Sequence, residues 1–304
     1  MYFLRRLIFV FPLVLLISAP AFFLVHIAPG GPFDRERAPA SPEVQRNLLA
    51  EYHLDEPIWK QYCRYLYSVA HGDFGPSLKY RNHSVNDIIE QGLPVSMTLG
   101  GFAFCFAMGV GLPMGFIAAA RRGRWEDYAA TFSALLAVCV PGFVIAPLLI
   151  LTFAVKLKLL PVALWGSPLY AILPMFALGL FFAGRIARLF REGMISAMQS
   201  EFVTAARAKG LGENRLLIKH ALRIAVLPVV SYSGPMLADL LTGSFVVENI
   251  FQIPGIGVFL VNGSLNRDYT VVVGLALLYA VLLIGMNLAV DFAYTLLDPR
   301  VKYE

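Results

Sequence analysis

The chain has 304 residues, of which 58% are hydrophobic and 15% charged. Soluble domains run near 45–50% apolar and about 25% charged, so this composition excludes a disordered chain and argues against a soluble globular enzyme. A lipid solvent fits it, as does the mean hydropathy of +0.67. The net charge of +5 gains meaning only when divided between two sides of a membrane.

A spanning helix needs about 20 mostly apolar residues. Six stretches meet this: residues 7–28, 95–120, 128–155, 166–184, 225–247 and 271–297. The first follows Arg5 and Arg6 and contains Ala19-Pro20-Ala21, which together imitate a cleaved signal peptide. The apolar run continues through Phe22, Phe23, Leu24 and Val25, so a retained span is expected. The second and third stretches exceed the minimum and contain Pro113, Pro141 and Pro147, where a tilt or break is expected.

Between the first two spans lies a segment, 29–94, far too long for a turn. Pro29-Gly30-Gly31-Pro32 ends the first helix, and Ser41-Pro42-Glu43 reads as a helix start. Ile58, Trp59, Tyr62, Tyr65, Leu66 and Val69 recur at helical spacing, with Gly72 placed to stop the helix. This stripe fits an interfacial belt or packed cap, or a rim that receives an external partner. Ordinary surface histidines are expected at His53, His71 and His83, and a hydrogen-bonded helix-end residue at His26.

Lys and Arg counts set the orientation. With both termini cytoplasmic, the inside carries fifteen of the 25 Lys and Arg residues and a net +8, the outside a net −1. The short Arg121–Asp127 turn is the strongest part of this pattern. Lys156 and Lys158, in a short outer loop, oppose it and are expected to snorkel to the interface.

The inner loop 185–224 is the most informative. It reads Glu201-Phe202-Val203-Thr204-Ala205-Ala206-Arg207-Ala208-Lys209-Gly210-Leu211-Gly212. Strong helix formers come first, cations fall in the last turn, and Gly210 can supply a left-handed cap. Glu213 opens a second amphipathic run that ends near Leu227-Pro228. Two short helices with an Ala-rich surface suit close gripping by another protein; a basic helix lying on the membrane is the plain alternative.

Ionisable residues within spans are functional candidates because burying them is costly. Ser231, Pro235, Asp239 and Thr242 share one face of the fifth span, as the wall of a polar path or as partners in interhelical hydrogen bonding. Asp291 is expected to be structural. None of the seven Lys residues precedes Ser or Thr, so no P-loop exists, and no HExxH or G-x-S-x-G motif occurs. Cys63, Cys105 and Cys139 form no CxxC pair. No catalytic or metal-ligating residue is expected.

Residues 204–228, with the A-A-R-A-K-G-L-G core and Leu227-Pro228, resemble the EAA loop of ABC-importer membrane subunits. Further motifs extend the likeness over essentially the whole chain. They are Ala28-Pro29-Gly30-Gly31-Pro32, His71-Gly72-Asp73-Phe74-Gly75-Pro76-Ser77 and Ser84-Val85-Asn86-Asp87. Leu241-Thr242-Gly243-Ser244, Pro254-Gly255-Ile256-Gly257, Asn266-Arg267-Asp268-Tyr269 and Asp298-Pro299-Arg300 complete the set. The chain thus resembles the dipeptide/oligopeptide/nickel permease family, closest to the B-type subunits of its oligopeptide branch. It departs from the general EAA pattern at Thr204, where Glu is usual, and Glu201 stands one helical turn earlier.

The resemblance implies an all-α membrane protein with six transmembrane helices, a type I ABC importer (MetI-like) permease fold and an outer helical scoop between spans one and two. Residues 1–28 would form the first helix, 29–94 the outer segment, and 95–304 the five-helix core with the coupling loop 185–224. It implies a bacterial inner-membrane location and a role as translocation subunit for oligopeptides, with dipeptide or nickel cargo as alternatives in the same family; against the resemblance, the rival from another class is a proton-coupled secondary transporter with Asp239 and Asp291 as proton relays. The implied partners are a second homologous permease subunit, two cytoplasmic ABC ATPases, an extracytoplasmic peptide-binding protein, the peptide substrate and lipid, with no nucleic acid. ATP and Mg would be used by the ATPase subunits and no cofactor held by this chain. Glu201 and Ala205, Ala206, Arg207, Ala208, Lys209 and Gly210 would couple to an ATPase. Ser231, Asp239 and Thr242 would line the substrate path. Asp73, Phe74, Glu248, Pro254, Gly255, Asn266, Arg267 and Asp268 would form the outer mouth.

Overall fold

The computed structural model describes residues 2–27, 42–80 and 82–297. The expected helix stop at Pro29–Pro32, Ser41 and the closing Asp298-Pro299-Arg300 lie outside them. Among the described residues the chain is helical, apart from one isolated bridge between Pro76 and Ser84. Three helices among the described residues are long and apolar enough to cross a membrane, Val85–Ala120, Pro168–Met198 and Tyr269–Ala293, and two bent helix pairs reach that length together.

The chain divides into two compact units. The first comprises Met1–Val95 and Gly255–Ile284. It contains α1 (Tyr2–Ile27), α2 (Pro42–Glu51), α3 (Ile58–Ala70), the start of α4 (Val85–Ala120), α12 (Ile256–Asn266) and the first part of α13 (Tyr269–Leu297). The tyrosine stripe of α3 turns inward: Tyr65 packs with Phe22, Val273 and Leu277, and Tyr62 and Val69 adjoin them. Trp59, expected in the same stripe, is exposed. Ser18 and Tyr62 hydroxyls lie 2.9 Å apart, tying α1 to α3. The His26 Nδ1 lies 2.7 Å from the Phe22 carbonyl, as a helix-end residue would. A second cluster joins Val85 and Ile88 to Ile256, Val271 and Leu275. Gly72, at φ +80°, follows α3 where the sequence predicts its stop.

The second unit comprises Ser96–Pro254 and Gly285–Tyr303. Its core is α7 (Pro168–Met198), against which α4, α9 (Glu213–Ala225) and α10 (Leu227–Leu241) pack. Phe182, Ile186, Phe190 and Met194 line the buried side of α7. Between lipid-facing helices small residues permit close backbone approach, since lipid provides no hydrophobic drive for association. Gly111 and Gly115, one turn apart on α4, meet the Ala183 and Ala187 carbonyls of α7 in this way.

The third expected span is broken. α5 (Trp125–Cys139) and the segment Gly142–Lys156 meet at 102°. Pro141 forces Val140 into extended backbone, φ −86° and ψ 119°, which no helix continues. The second half, α6 (Gly142–Leu149), carries Pro147 and then widens into a π-helical turn, Ile150–Lys156. Pro113, in contrast, sits inside the unbroken α4. The expected fifth span also divides: α10 ends at Leu241, Gly243 takes φ +83°, and α11 (Phe245–Ile250) follows. The fourth expected span is longer than its apolar run. α7 continues through Arg185, Arg188 and Arg191 to Met198, because charges at helical spacing interrupt hydropathy without interrupting helix propensity.

Candidate functional site: an exposed helix joined to a polar helix face

α8 (Glu201–Ala208) begins after Ser200, which has extended backbone, and places Glu201 in its first turn. Its end is a full left-handed cap. Gly210 at φ +82° lets its own N–H reach the Arg207 carbonyl at 2.9 Å, and the Leu211 N–H reaches the Ala206 carbonyl at 3.4 Å. No atom lies within 4 Å of where a Gly210 Cβ would stand, so backbone strain, not space, selects glycine there. Val203 is 0% exposed and fastens α8 to its unit. Glu201, Phe202, Ala205, Arg207, Ala208, Lys209 and Gly210 are exposed and Ala206 half-buried. Thr204 turns its hydroxyl back onto the Ser200 carbonyl at 3.2 Å.

Arg207 grips Glu213 with two parallel bonds, Nε to Oε1 at 2.7 Å and Nη2 to Oε2 at 3.1 Å. The guanidinium holds the Glu213 carboxyl below its ordinary range. This pair ties α8 to α9, and α9 runs into α10 with a bend of only 42°. α9 itself contains a π-helical segment, Leu216–Ala221.

On α10 the exposed residues are Pro228, Ser231, Pro235 and Asp239, at helical steps. Tyr232 stands half-buried on their shoulder. Thr242 uses its hydroxyl within the helix end, 2.8 Å from the Ala238 carbonyl. The guanidinium of Arg185 on α7 lies over the Tyr232 ring, 5.0 Å from its centre.

The expected mouth residues fall into both units. In the first, the Gly75 N–H donates to Asp73, and the Phe74 N–H donates to Asn86 at 2.9 Å. Asn266 is exposed, Arg267 is left-handed at φ +60°, and Gly255 precedes α12. Asp268 is 0% exposed. It accepts from the Ser77 hydroxyl, from the Leu78 and Lys79 amides at 3.2 Å each, and from Thr270 at 3.0 Å. In the second unit Pro254 is exposed, whereas Glu248 is 0% exposed and accepts from the Ser96 hydroxyl at 2.7 Å. A Cβ on Gly243 would strike the Glu248 carboxylate. Asp268 therefore organises backbone, Glu248 is tied to the Ser96 side chain, and neither presents surface.

One pair escaped the sequence reading. Asp127, 4% exposed, accepts from Arg191 Nε at 2.7 Å and Nη2 at 2.9 Å, with the Gly123 N–H at 3.0 Å. It clasps the start of α5 to α7. The partners are 64 positions apart, and only the helical continuation past Gly184 could have signalled Arg191 as a packed residue. Among the described residues no three His, Cys, Asp or Glu side chains are placed to hold a metal.

The family described as binding-protein-dependent transport system inner membrane component matches residues 111–303. The oligopeptide transport system permease protein OppB of Haemophilus influenzae is 45% identical over 302 residues, covering 98% of each chain. The dipeptide transport system permease protein DppB of Bacillus subtilis is 46% identical over 289 residues, covering 95% of this chain and 94% of its own. A chain of the inward-facing MetNI methionine ABC transporter superposes with a TM-score of 0.57 at 17% identity. It covers 69% of this chain and 96% of its own, which is a likeness of fold.

Proposed function

This chain belongs to the family of binding-protein-dependent transport inner membrane components, and we propose that it is the membrane-spanning translocation subunit of an ATP-driven oligopeptide importer. The observation that carries this reading is the 45% identity to an oligopeptide permease over 98% of both chains. The 46% identity to a dipeptide permease makes dipeptide import the second reading.

In this proposal six spans cross the bacterial inner membrane with both termini cytoplasmic. Residues 1–28 are the first span, 29–94 an outer scoop, and 95–304 the core. A second homologous permease pairs with it, a peptide-binding protein docks outside, and two ABC ATPases that use ATP and Mg dock inside. An ATPase groove takes the exposed face of α8, at Ala205–Gly210 with Glu201. Its displacement passes through Val203 and the Arg207–Glu213 pair to α9, and from there along the chain into α10. α10 carries Ser231 and Asp239 on the path, with Thr242 at its outer end. Asp73, Phe74, Asn266 and Arg267 of the first unit and Pro254 of the second belong to the delivery surface, while Gly255, Glu248 and Asp268 are buried and brace their own units.

The test is uptake of labelled peptides into proteoliposomes holding the four-subunit complex and its binding protein. ATP-dependent uptake of oligopeptides supports the proposal; exclusive uptake of dipeptides or of nickel moves it to those branches. Uptake driven by a proton gradient without ATP or partners overturns it.

A further inference from the structure

Arg185 looks from sequence like one of several loop cations, but the structure puts it inside α7, seventeen residues along from Pro168. A hydrocarbon core of about 30 Å takes up about 20 helical residues. With α7 entering at its Pro168 end, Arg185 stands at the inner margin of the core. It stays exposed there and rests on Tyr232 of the neighbouring α10. Asp239 is exposed seven residues farther along α10, on the face whose shoulder is Tyr232.

Seven residues of helix rise about 10 Å. A cation and an anion are thus offset by about 10 Å along the axis of α10, the anion farther out. Charges held at such depth are costly and are kept where they act. Held over the tyrosine ring and hydrogen-bonded to its hydroxyl, the guanidinium is restrained and keeps further N–H donors for a carboxylate. An extended chain advances about 3.3–3.6 Å per residue, so about three residues separate two charges at this distance.

Resting on the importer reading above, we propose that Arg185 and Asp239 receive the two termini of a short zwitterionic peptide in transit, the carboxylate at Arg185 and the ammonium at Asp239. The cargo then passes with its amino end outward. A tripeptide fits both charges together; longer peptides engage one end at a time.

The experiment uses the complete complex in proteoliposomes with three forms of one labelled tripeptide: free, N-acetylated and C-amidated. Each is supplied at equal occupancy of the binding protein, measured separately. Wild type is expected to move the free form about tenfold faster than either blocked form, the ordinary loss for one charge-assisted contact. Asp239→Asn should abolish only the preference over the acetylated form, and Arg185→Gln only the preference over the amide. Arg185→Lys and Asp239→Glu, which keep charge, should retain both preferences at reduced rate. Variants that slow all three forms alike, or leave wild-type preferences unchanged, overturn the proposal. Absence of ATP-dependent uptake of any form by wild type would sink the importer reading itself.

Discussion

The contact between α4 and α7 gives a prediction whose size follows from distances. A Cβ at Gly111 would lie 2.7 Å from the Ala183 carbonyl oxygen, and one at Gly115 would lie 2.5 Å from the Ala187 oxygen. Ordinary contact is 3.4–4 Å, so alanine at either site pushes the helices apart by about 1 Å. Overpacking of this kind costs about 1–3 kcal/mol. The double variant Gly111→Ala with Gly115→Ala should lose about 3 kcal/mol, less than the sum of the singles, because one separation relieves both. Gly101 and Gly109, on the same helix, have nothing within 4 Å of their Cβ positions. There alanine should stabilise by about 0.5–1 kcal/mol through reduced chain entropy. Thermal denaturation of the purified protein in detergent reads both signs. The Gly111 Cβ would also meet Ile186 Cβ and Cγ2 at 2.9 Å, but the two carbonyl oxygens and the Cβ at 186 stay in place after Ile186→Ala, so that change should relieve the double variant only in part. If all four glycines respond alike to alanine, the close-approach reasoning is wrong.

Arg191→Gln strands a buried carboxylate and should destabilise by about 3 kcal/mol, while adding Asp127→Asn recovers part of the loss; denaturant titration of the two singles and the double checks this. Gly210→Val should reduce peptide-stimulated ATP hydrolysis and uptake with normal membrane insertion, whereas Gly210→Asn keeps most of both, because Asn tolerates the left-handed backbone. Glu213 titrates below its ordinary range beside Arg207, so their pair is intact at neutral pH and is lost only as acid protonates the carboxylate. The pair should therefore add no step of its own to coupled ATP hydrolysis across neutral pH, and a neutral-range step in wild type that Glu213→Gln removes would refute this. Asp268→Ala leaves the Ser77–Lys79 turn without its acceptor and should cost about 1–3 kcal/mol locally, seen as faster hydrogen exchange at the Leu78 and Lys79 amides.

Local signals were legible. Proline at 141 marked a break, glycine at 210 marked a left-handed cap, and Glu213 marked a helix start, because each acts through its own backbone. The end of α7 was not legible, since Arg185 and Arg188 lower hydropathy while leaving helix propensity intact. Nor were the burial of Glu248 and the Asp127–Arg191 clasp. A carboxylate reads as a surface group until the partner that satisfies it is known, and here Ser96 and Arg191 come from distant parts of the chain. Ser231 and Asp239 were readable as one helix face, but the arginine beside that face belongs to another helix.

The way α8 is held separates two requirements that usually compete for the same side chains. Its folding draws on Val203, the Gly210 cap and the Arg207–Glu213 bond, all at fixed places. The side chains at 201, 202, 205, 208 and 209 are exposed. Under the coupling role proposed for α8, partner choice would be modular: substituting those five positions would re-address the helix to a different motor while the scaffold stays unaltered.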